Sequence, residues 1–153
     1  MTAYSQRQHL NYAAAQLFDL VVDVERYPEF FPWVKEVHRR HRNDRTILVD
    51  MTVAVGPLYK RFSTIAVLDR PRRIDISSRD PMFHRFEQRW TFEPATDGGT
   101  NIGYHVDIEL RSRVLQMLMQ ASLNDRAAAT MAGFKHRAHR LYAGNLHERP
   151  SQH

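Results

Sequence analysis

Apolar and polar side chains alternate along much of this chain, and a helical period interrupts the alternation at two places. Residues 3–10 read as a first strand. Ala14, Leu17, Phe18 and Val21 then recur at helical spacing and make one apolar stripe. From Val34 to Leu110 the period returns to two. Ile47, Val49, Met51, Val53 and Val55 share one face while Leu48, Asp50 and Thr52 share the other, the pattern of a half-buried strand. Gly56-Pro57 marks a turn, after which Phe62, Thr64, Ala66 and Leu68 point inward. Asp69 to Arg72 turn again and Ile74 and Ile76 give a short strand. The next strand sets Met82, His84, Phe86, Gln88, Trp90 and Phe92 against Arg85, Glu87, Arg89 and Glu93. Asp97-Gly98-Gly99 closes a hairpin, and its partner strand carries Ile102, Tyr104, Val106, Ile108 and Leu110 inward.

From Arg113 to about Ala143 no proline intervenes, and Ala127, Met131, Phe134, Ala138 and Leu141 form a seam spaced by fours and threes. At 1.5 Å per residue this predicts one helix of roughly 45 Å. The implied class is α+β: a curved antiparallel sheet of six to seven strands wrapped on a long C-terminal helix, with two short helices after the first strand. That helix-grip arrangement leaves a hollow wherever the side chains between the layers are small. Residues 1–144 are predicted to form a single domain, and the polar residues 145–153, with Pro150, a disordered tail.

The segment between the first helix and the second strand is unusual. Val24-Glu25-Arg26-Tyr27-Pro28-Glu29-Phe30-Phe31-Pro32-Trp33-Val34 crowds four aromatics around two prolines, and the prolines stop it from continuing as a regular helix. Fully burying one Phe or Trp contributes roughly 1.5–3 kcal/mol. Tyr27, Phe30, Phe31 and Trp33 are therefore expected to pack on something, and we read them as the lid of a cavity. The longer run Leu17-Phe18-Asp19-Leu20-Val21-Val22-Asp23 through Trp33 resembles the signature of the coenzyme Q-binding branch of the START-like superfamily. Phe62 and Thr64, then Phe83, Phe86, Trp90 and Phe92, then Phe134, Arg137 and Ala138 follow in the order that this family shows. The resemblance spans roughly residues 3 to 143. It departs at Pro81-Met82-Phe83, where the family usually has Gly-Pro-Phe, so the turn there is expected to be built differently.

Composition narrows the chemistry. The 153 residues contain no cysteine, which excludes disulfides and thiolate catalysis and leaves zinc only His and carboxylate ligands. The first ten residues have neither the apolar core of a signal peptide nor the length of a spanning helix. The protein is thus expected to be soluble and cytoplasmic, or peripheral on the cytoplasmic face of the inner membrane. Its net charge of +5 favours anionic neighbours. Phosphate loops, dinucleotide fingerprints, His-Glu-x-x-His and Gly-x-Ser-x-Gly are all missing. His38 with His41, and His136 with His139, have ligand-like spacing but sit among Arg and Lys, which disfavours a cation. No metal and no cofactor is expected, and no catalytic residue is assigned.

His84, Gln88 and Tyr104 are polar groups at inward positions of otherwise apolar strands, so each needs a partner in the protein or in a ligand. The stretch Val114 to Leu123 is apolar almost all round, which suits either a greasy entrance or a homodimer interface. Lys35, Arg39, Arg40, Arg42 and Arg45 form the densest basic cluster. A charged edge strand is the plain reading; docking to an acidic membrane face or to RNA is the functional one.

The resemblance implies a non-enzymatic carrier or chaperone of an isoprenoid quinone such as ubiquinone, serving respiration or quinone biosynthesis. Tyr27, Phe30, Phe31 and Trp33 would gate the pocket. Met51, Phe62, His84, Phe86, Gln88, Trp90 and Tyr104 would line its sheet side, and Leu115, Leu118, Met119, Met131 and Phe134 its helix side. Relatives in the same family are ribosome-association toxins of toxin-antitoxin pairs, for which the ribosome would be the partner. Others in the superfamily are polyketide cyclases or dehydratases, which would need an acid or base deep in the cavity.

Overall fold

The computed structural model describes residues 3–143, with the side chains of Phe30 and Ala143 outside that description. Seven strands form one antiparallel sheet: β1 (Ala3–Leu10), β2 (Val34–Arg42), β3 (Thr46–Val55), β4 (Leu58–Asp69), β5 (Arg73–Ser77), β6 (Phe83–Pro94) and β7 (Thr100–Leu110). Their order is β1-β7-β6-β5-β4-β3-β2. β1 and β2 are therefore the two edges. The chain crosses from one edge to the other through α1 (Ala14–Val22), a 3-10 turn at Val24–Arg26 and the single-turn α2 (Tyr27–Phe30). The α2 turn carries Pro28 at its second position, within the first turn where the missing amide costs nothing, and stops at Phe31, which is extended. The predicted tail at 145–153 lies outside the described residues.

The alternation holds through most of the sheet, and its one inward-face failure has a local cause. Phe83 pairs with Leu110 and Arg85 with Glu109, so one extra residue, His84, is bulged out of β6. The bulge puts Phe83 and Phe86 on the same buried face and turns His84 to solvent. The preceding Asp80-Pro81-Met82 turn is closed by the Asp80 carboxylate, which accepts from the Met82 amide at 2.9 Å. Between β3 and β4 a two-residue turn places Gly56 at φ +58°, a value that favours glycine.

The single C-terminal helix of the sequence reading is broken. α3 (Arg113–Gln120) and α4 (Leu123–Ala138) are separated at Ala121-Ser122, and α4 runs on into a π turn at His139–Ala143. Ser122 leaves helical geometry at φ −123°, ψ 1°, and its hydroxyl donates back to the Met119 carbonyl at 3.3 Å. A serine bonding its own backbone can end a helix without any proline. The break lets α3 pack on β3 and β7 while α4 crosses to α1 and β1. Leu141, predicted on the buried seam, is 41% exposed because the π turn shifts it off the α-helical stripe.

The core is divided. One cluster gathers Leu17, Phe18, Phe31, Trp90, Phe92, Met131 and Phe134 between α1, α4 and the sheet. A smaller one gathers Val55, Phe62, Phe83, Phe86, Leu110 and Met119 under α3. Met51, Val53, Ile76 and Ile108 touch both clusters yet are only half-buried, although they point inward from strands of the sheet interior. Inward side chains between two cores remain partly uncovered only if a hollow lies above them.

Candidate ligand-binding cavity

That hollow is a cavity of about 180 Å³. One end is a cage of rings: Trp90 lies 4.4 Å from Tyr104 and 4.8 Å from Phe134, and Phe31 stacks on Trp33 at 5.2 Å between centroids. Tyr27 meets Phe31 and Phe134 edge-on at 5.5 and 5.7 Å. The other end is closed by Phe62, Phe83 and Phe86, with centroids 4.9–5.7 Å apart. Small side chains, Thr64 and Ala66 on β4 and Ala127 and Thr130 on α4, keep the middle open.

The aromatic segment forms a fixed wall of this space. Phe31 is 3% exposed, and its ring edge stands against Gly133 of α4, where an added Cβ would lie 2.8 Å from the ring. Gly133 was not singled out in the sequence reading. Its signal there is a glycine inside a helical period, a placement that costs about 1 kcal/mol relative to alanine and so asks for a packing reason.

Of the predicted pocket residues, Tyr27, Phe31, Trp33, Met51, Phe62, Phe86, Gln88, Trp90, Tyr104, Met119 and Phe134 line the cavity. The others do not. His84 is turned to solvent by the bulge. Leu115 and Leu118 pack half-buried on the smaller cluster, with Leu118 against the Gly56 turn. Met131 is 1% exposed and lies in the larger core. The Phe30 side chain lies outside the described residues.

Among the described residues the lining contains no histidine and no carboxylate. Its polar groups differ in how far they are engaged. Tyr27 donates to the Val21 carbonyl. Tyr104 is hydrogen-bonded to Thr130, whose own hydroxyl donates to the Arg126 carbonyl at 2.8 Å. Burial pushes the pKa of both phenols up, so they remain protonated. The side chain of Gln88, half-buried on β6, has no hydrogen-bond partner among the described residues. Arg126 on α4 also lines the cavity, has no carboxylate partner among the described residues, and holds its guanidinium 5.7 Å from the Trp33 ring centre. Burial pulls its pKa down. Arg126 was not anticipated; within Asn124-Asp125-Arg126 it reads as solvated helix surface.

The basic cluster lies along edge strand β2 and the β2–β3 turn. Arg39 pairs with Glu25 at 3.2 Å and Arg40 with Asp50 at 3.2 Å. Arg42 and Arg45 are exposed without a carboxylate partner among the described residues. Lys35 instead sits 5.7 Å over the Tyr59 ring. Leu58, Tyr59, Val114 and Met117 are large apolar side chains 43–71% exposed near the tip of the β3–β4 hairpin and on α3. Among the described residues no helix is long and apolar enough to cross a membrane, and no three metal-ligating side chains come together.

The sequence profile of a family described as polyketide cyclase / dehydrase and lipid transport matches residues 10–135. The chain is 29% identical over 143 residues to the ribosome association toxin RatA of Pseudomonas aeruginosa, covering 93% of this chain and 99% of that one. It is 22% identical over 143 residues to the mitochondrial coenzyme Q-binding protein COQ10 homolog B of Xenopus laevis, covering 91% of this chain and 59% of that one. Among solved structures, the Zhui aromatase/cyclase of a Streptomyces species superposes with a TM-score of 0.79 at 14% identity, covering 93% and 97% of the two chains.

Proposed function

The chain belongs to the polyketide cyclase / dehydrase and lipid transport family, and from that premise we propose that it is a non-enzymatic carrier whose cavity holds the ring of an isoprenoid quinone. The observation that carries this reading is an apolar hollow, lined by rings and, among the described residues, by no carboxylate or histidine. Cyclase or dehydratase chemistry needs a positioned proton acceptor beside the substrate as well as a donor. Here the ionisable lining groups are two phenols that burial keeps protonated and one guanidinium.

Size supports a ring as the part enclosed. An apolar cavity of about 150 Å³ holds one benzene molecule, whereas pockets that engulf drug-sized ligands run to roughly 300–1,000 Å³. At about 180 Å³ the cavity accepts a head and no more than the start of a tail. The tail leaves past Met82 and Met119, whose flexible side chains adapt to variable apolar contours. Leu58, Tyr59, Val114 and Met117 would then face lipid, with Lys35, Lys60, Arg61 and Arg113 drawing the protein to an anionic membrane surface. The similarity to a coenzyme Q-binding protein supports the quinone as the occupant.

A second reading is favoured by the 29% identical toxin relative and by the unpaired Arg42 and Arg45 on the basic edge: association with the ribosome. The two readings are separated by extracting the protein purified from its native host with organic solvent and identifying the lipid by mass spectrometry. A Val53→Phe variant, which fills the hollow, is the control. Stoichiometric isoprenoid quinone in the wild type and none in the variant is the expected result. An empty wild type, together with ribosome cosedimentation abolished by Arg42→Glu/Arg45→Glu, would replace the carrier reading with the ribosomal one.

A further inference from the structure

Two polar side chains reach the cavity from opposite layers without a partner among the described residues: Gln88 from the sheet and Arg126 from α4. Neither helps to hold the fold through a hydrogen bond or ion pair of its own, and both occupy positions where an apolar residue would cost less. Of the other polar lining groups, the two phenols are already engaged, Tyr27 with Val21 and Tyr104 with Thr130, and Thr64 carries only a short hydroxyl. We propose that Gln88 and Arg126 recognise the head of the ligand, and that they select a ring with oxygen acceptors on opposite edges in its oxidised form. This rests on the reading of the cavity as a quinone site.

The selection follows from donor counting. A guanidinium has five N–H donors and no acceptor, while a primary amide can donate or accept. A quinone presents two carbonyl oxygens at opposite ends of the ring and no hydrogen of its own. Spanning the cavity, it accepts from Arg126 at one end and from Gln88 at the other. The corresponding quinol carries an O–H at each end. Gln88 can accept one of them, but the hydroxyl turned towards Arg126 meets a guanidinium that has no acceptor to offer it, and among the described residues no lining carboxylate or histidine takes its proton. The Trp33 ring 5.7 Å from the Arg126 guanidinium limits the head's freedom to swing away. A carrier built this way holds its cargo oxidised and releases it more readily once it is reduced.

The test compares three ligands with the same decyl tail, a benzoquinone, the benzoquinol made from it and decylbenzene, on wild type, Arg126→Met, Arg126→Lys and Gln88→Leu. For the wild type, quinone is expected to bind about tenfold or more tighter than either other ligand, tenfold being the order of one good charge-assisted hydrogen bond. By linkage, a tenfold preference lowers the two-electron midpoint potential of the bound couple by about 30 mV. Arg126→Met should erase the quinone-over-quinol preference and the potential shift while leaving decylbenzene affinity unchanged, and Arg126→Lys should restore part of both. Gln88→Leu should reduce binding of both oxygenated ligands towards that of decylbenzene. Equal affinity for quinone and quinol in the wild type, or parallel losses for all three ligands in the variants, would overturn the assignment while leaving the cavity as a hydrophobic site. If none of the three ligands binds the wild type, the quinone reading itself falls and this inference with it.

Discussion

Replacing Gly133 with alanine should lower stability, against the usual direction for a glycine inside a helix. At an unencumbered helix position the change is worth about 1 kcal/mol in favour of alanine. At position 133 the new Cβ would sit 2.8 Å from Phe31 Cε1. The ring cannot swing aside freely, since Trp33, Tyr27 and Phe134 lie 5.2–5.5 Å from its centre. Overpacking of this kind costs about 1–3 kcal/mol, so the net effect is a loss of about 0–2 kcal/mol. A double-mutant cycle isolates the contact. Phe31→Ala alone should cost about 3–5 kcal/mol, but in its background Gly133→Ala should stabilise by up to ~1 kcal/mol. Urea unfolding followed by circular dichroism gives all four free energies. Additive behaviour, with Gly133→Ala stabilising wild type and Phe31→Ala alike, would refute the account of Phe31 as a pinned wall.

Two further outcomes test specific placements. Asp50 is held below its ordinary pKa of 3.8 chiefly by the Ser63 hydroxyl, with Arg40 and Arg61 adding to the effect. A depressed folded pKa gives stability that is complete above 3.8 and is lost as pH falls through the folded value. Asp50→Asn should therefore flatten part of the fall of Tm below about pH 4; an unchanged acid slope by scanning calorimetry would contradict this. His84→Ala should leave the affinity for a decyl-benzoquinone within about twofold of wild type, because the bulge turns the imidazole to solvent. A tenfold loss in a fluorescence titration would return His84 to the pocket.

The strands and their inward faces were legible because each turn carries its own signal, such as Gly56-Pro57 or Asp97-Gly98-Gly99, and because one face is buried. Position 84 escaped because alternation is counted by twos. A bulge changes the count without changing any residue type, and Met82-Phe83-His84 offers no glycine to announce it. The helix break escaped for a related reason. Ser122 acts through a hydroxyl bond to the Met119 carbonyl one turn back, whereas the usual signal is a proline. The aromatic wall and most sheet-side lining residues could be placed from pattern and resemblance. Arg126 could not, since only tertiary packing against Trp33 distinguishes it from other charges on the helix surface.

A fold selected for stability alone would not keep this hollow. At about 24 cal/mol per Å³ of unfilled volume, 180 Å³ corresponds to about 4 kcal/mol, a large share of the roughly 5–15 kcal/mol that stabilises an ordinary domain. The residues that keep it open, Thr64, Ala66, Ala127 and Thr130, stand where larger apolar side chains would close it. Filling should therefore trade function for stability. Val53, half-buried and touching both core clusters, is the position to enlarge. Val53→Phe should raise Tm by a few degrees, about 2–4 °C per kcal/mol regained for a domain of this size, and should abolish the thermal shift that a decyl-benzoquinone gives the wild type. If Val53→Phe unfolds at a lower temperature and still binds, the space above Val53 is neither empty nor the site. If it is more stable and no longer binds, the chain has kept a hole at the cost of its own stability, and the occupant of that hole restores part of what the hole takes away.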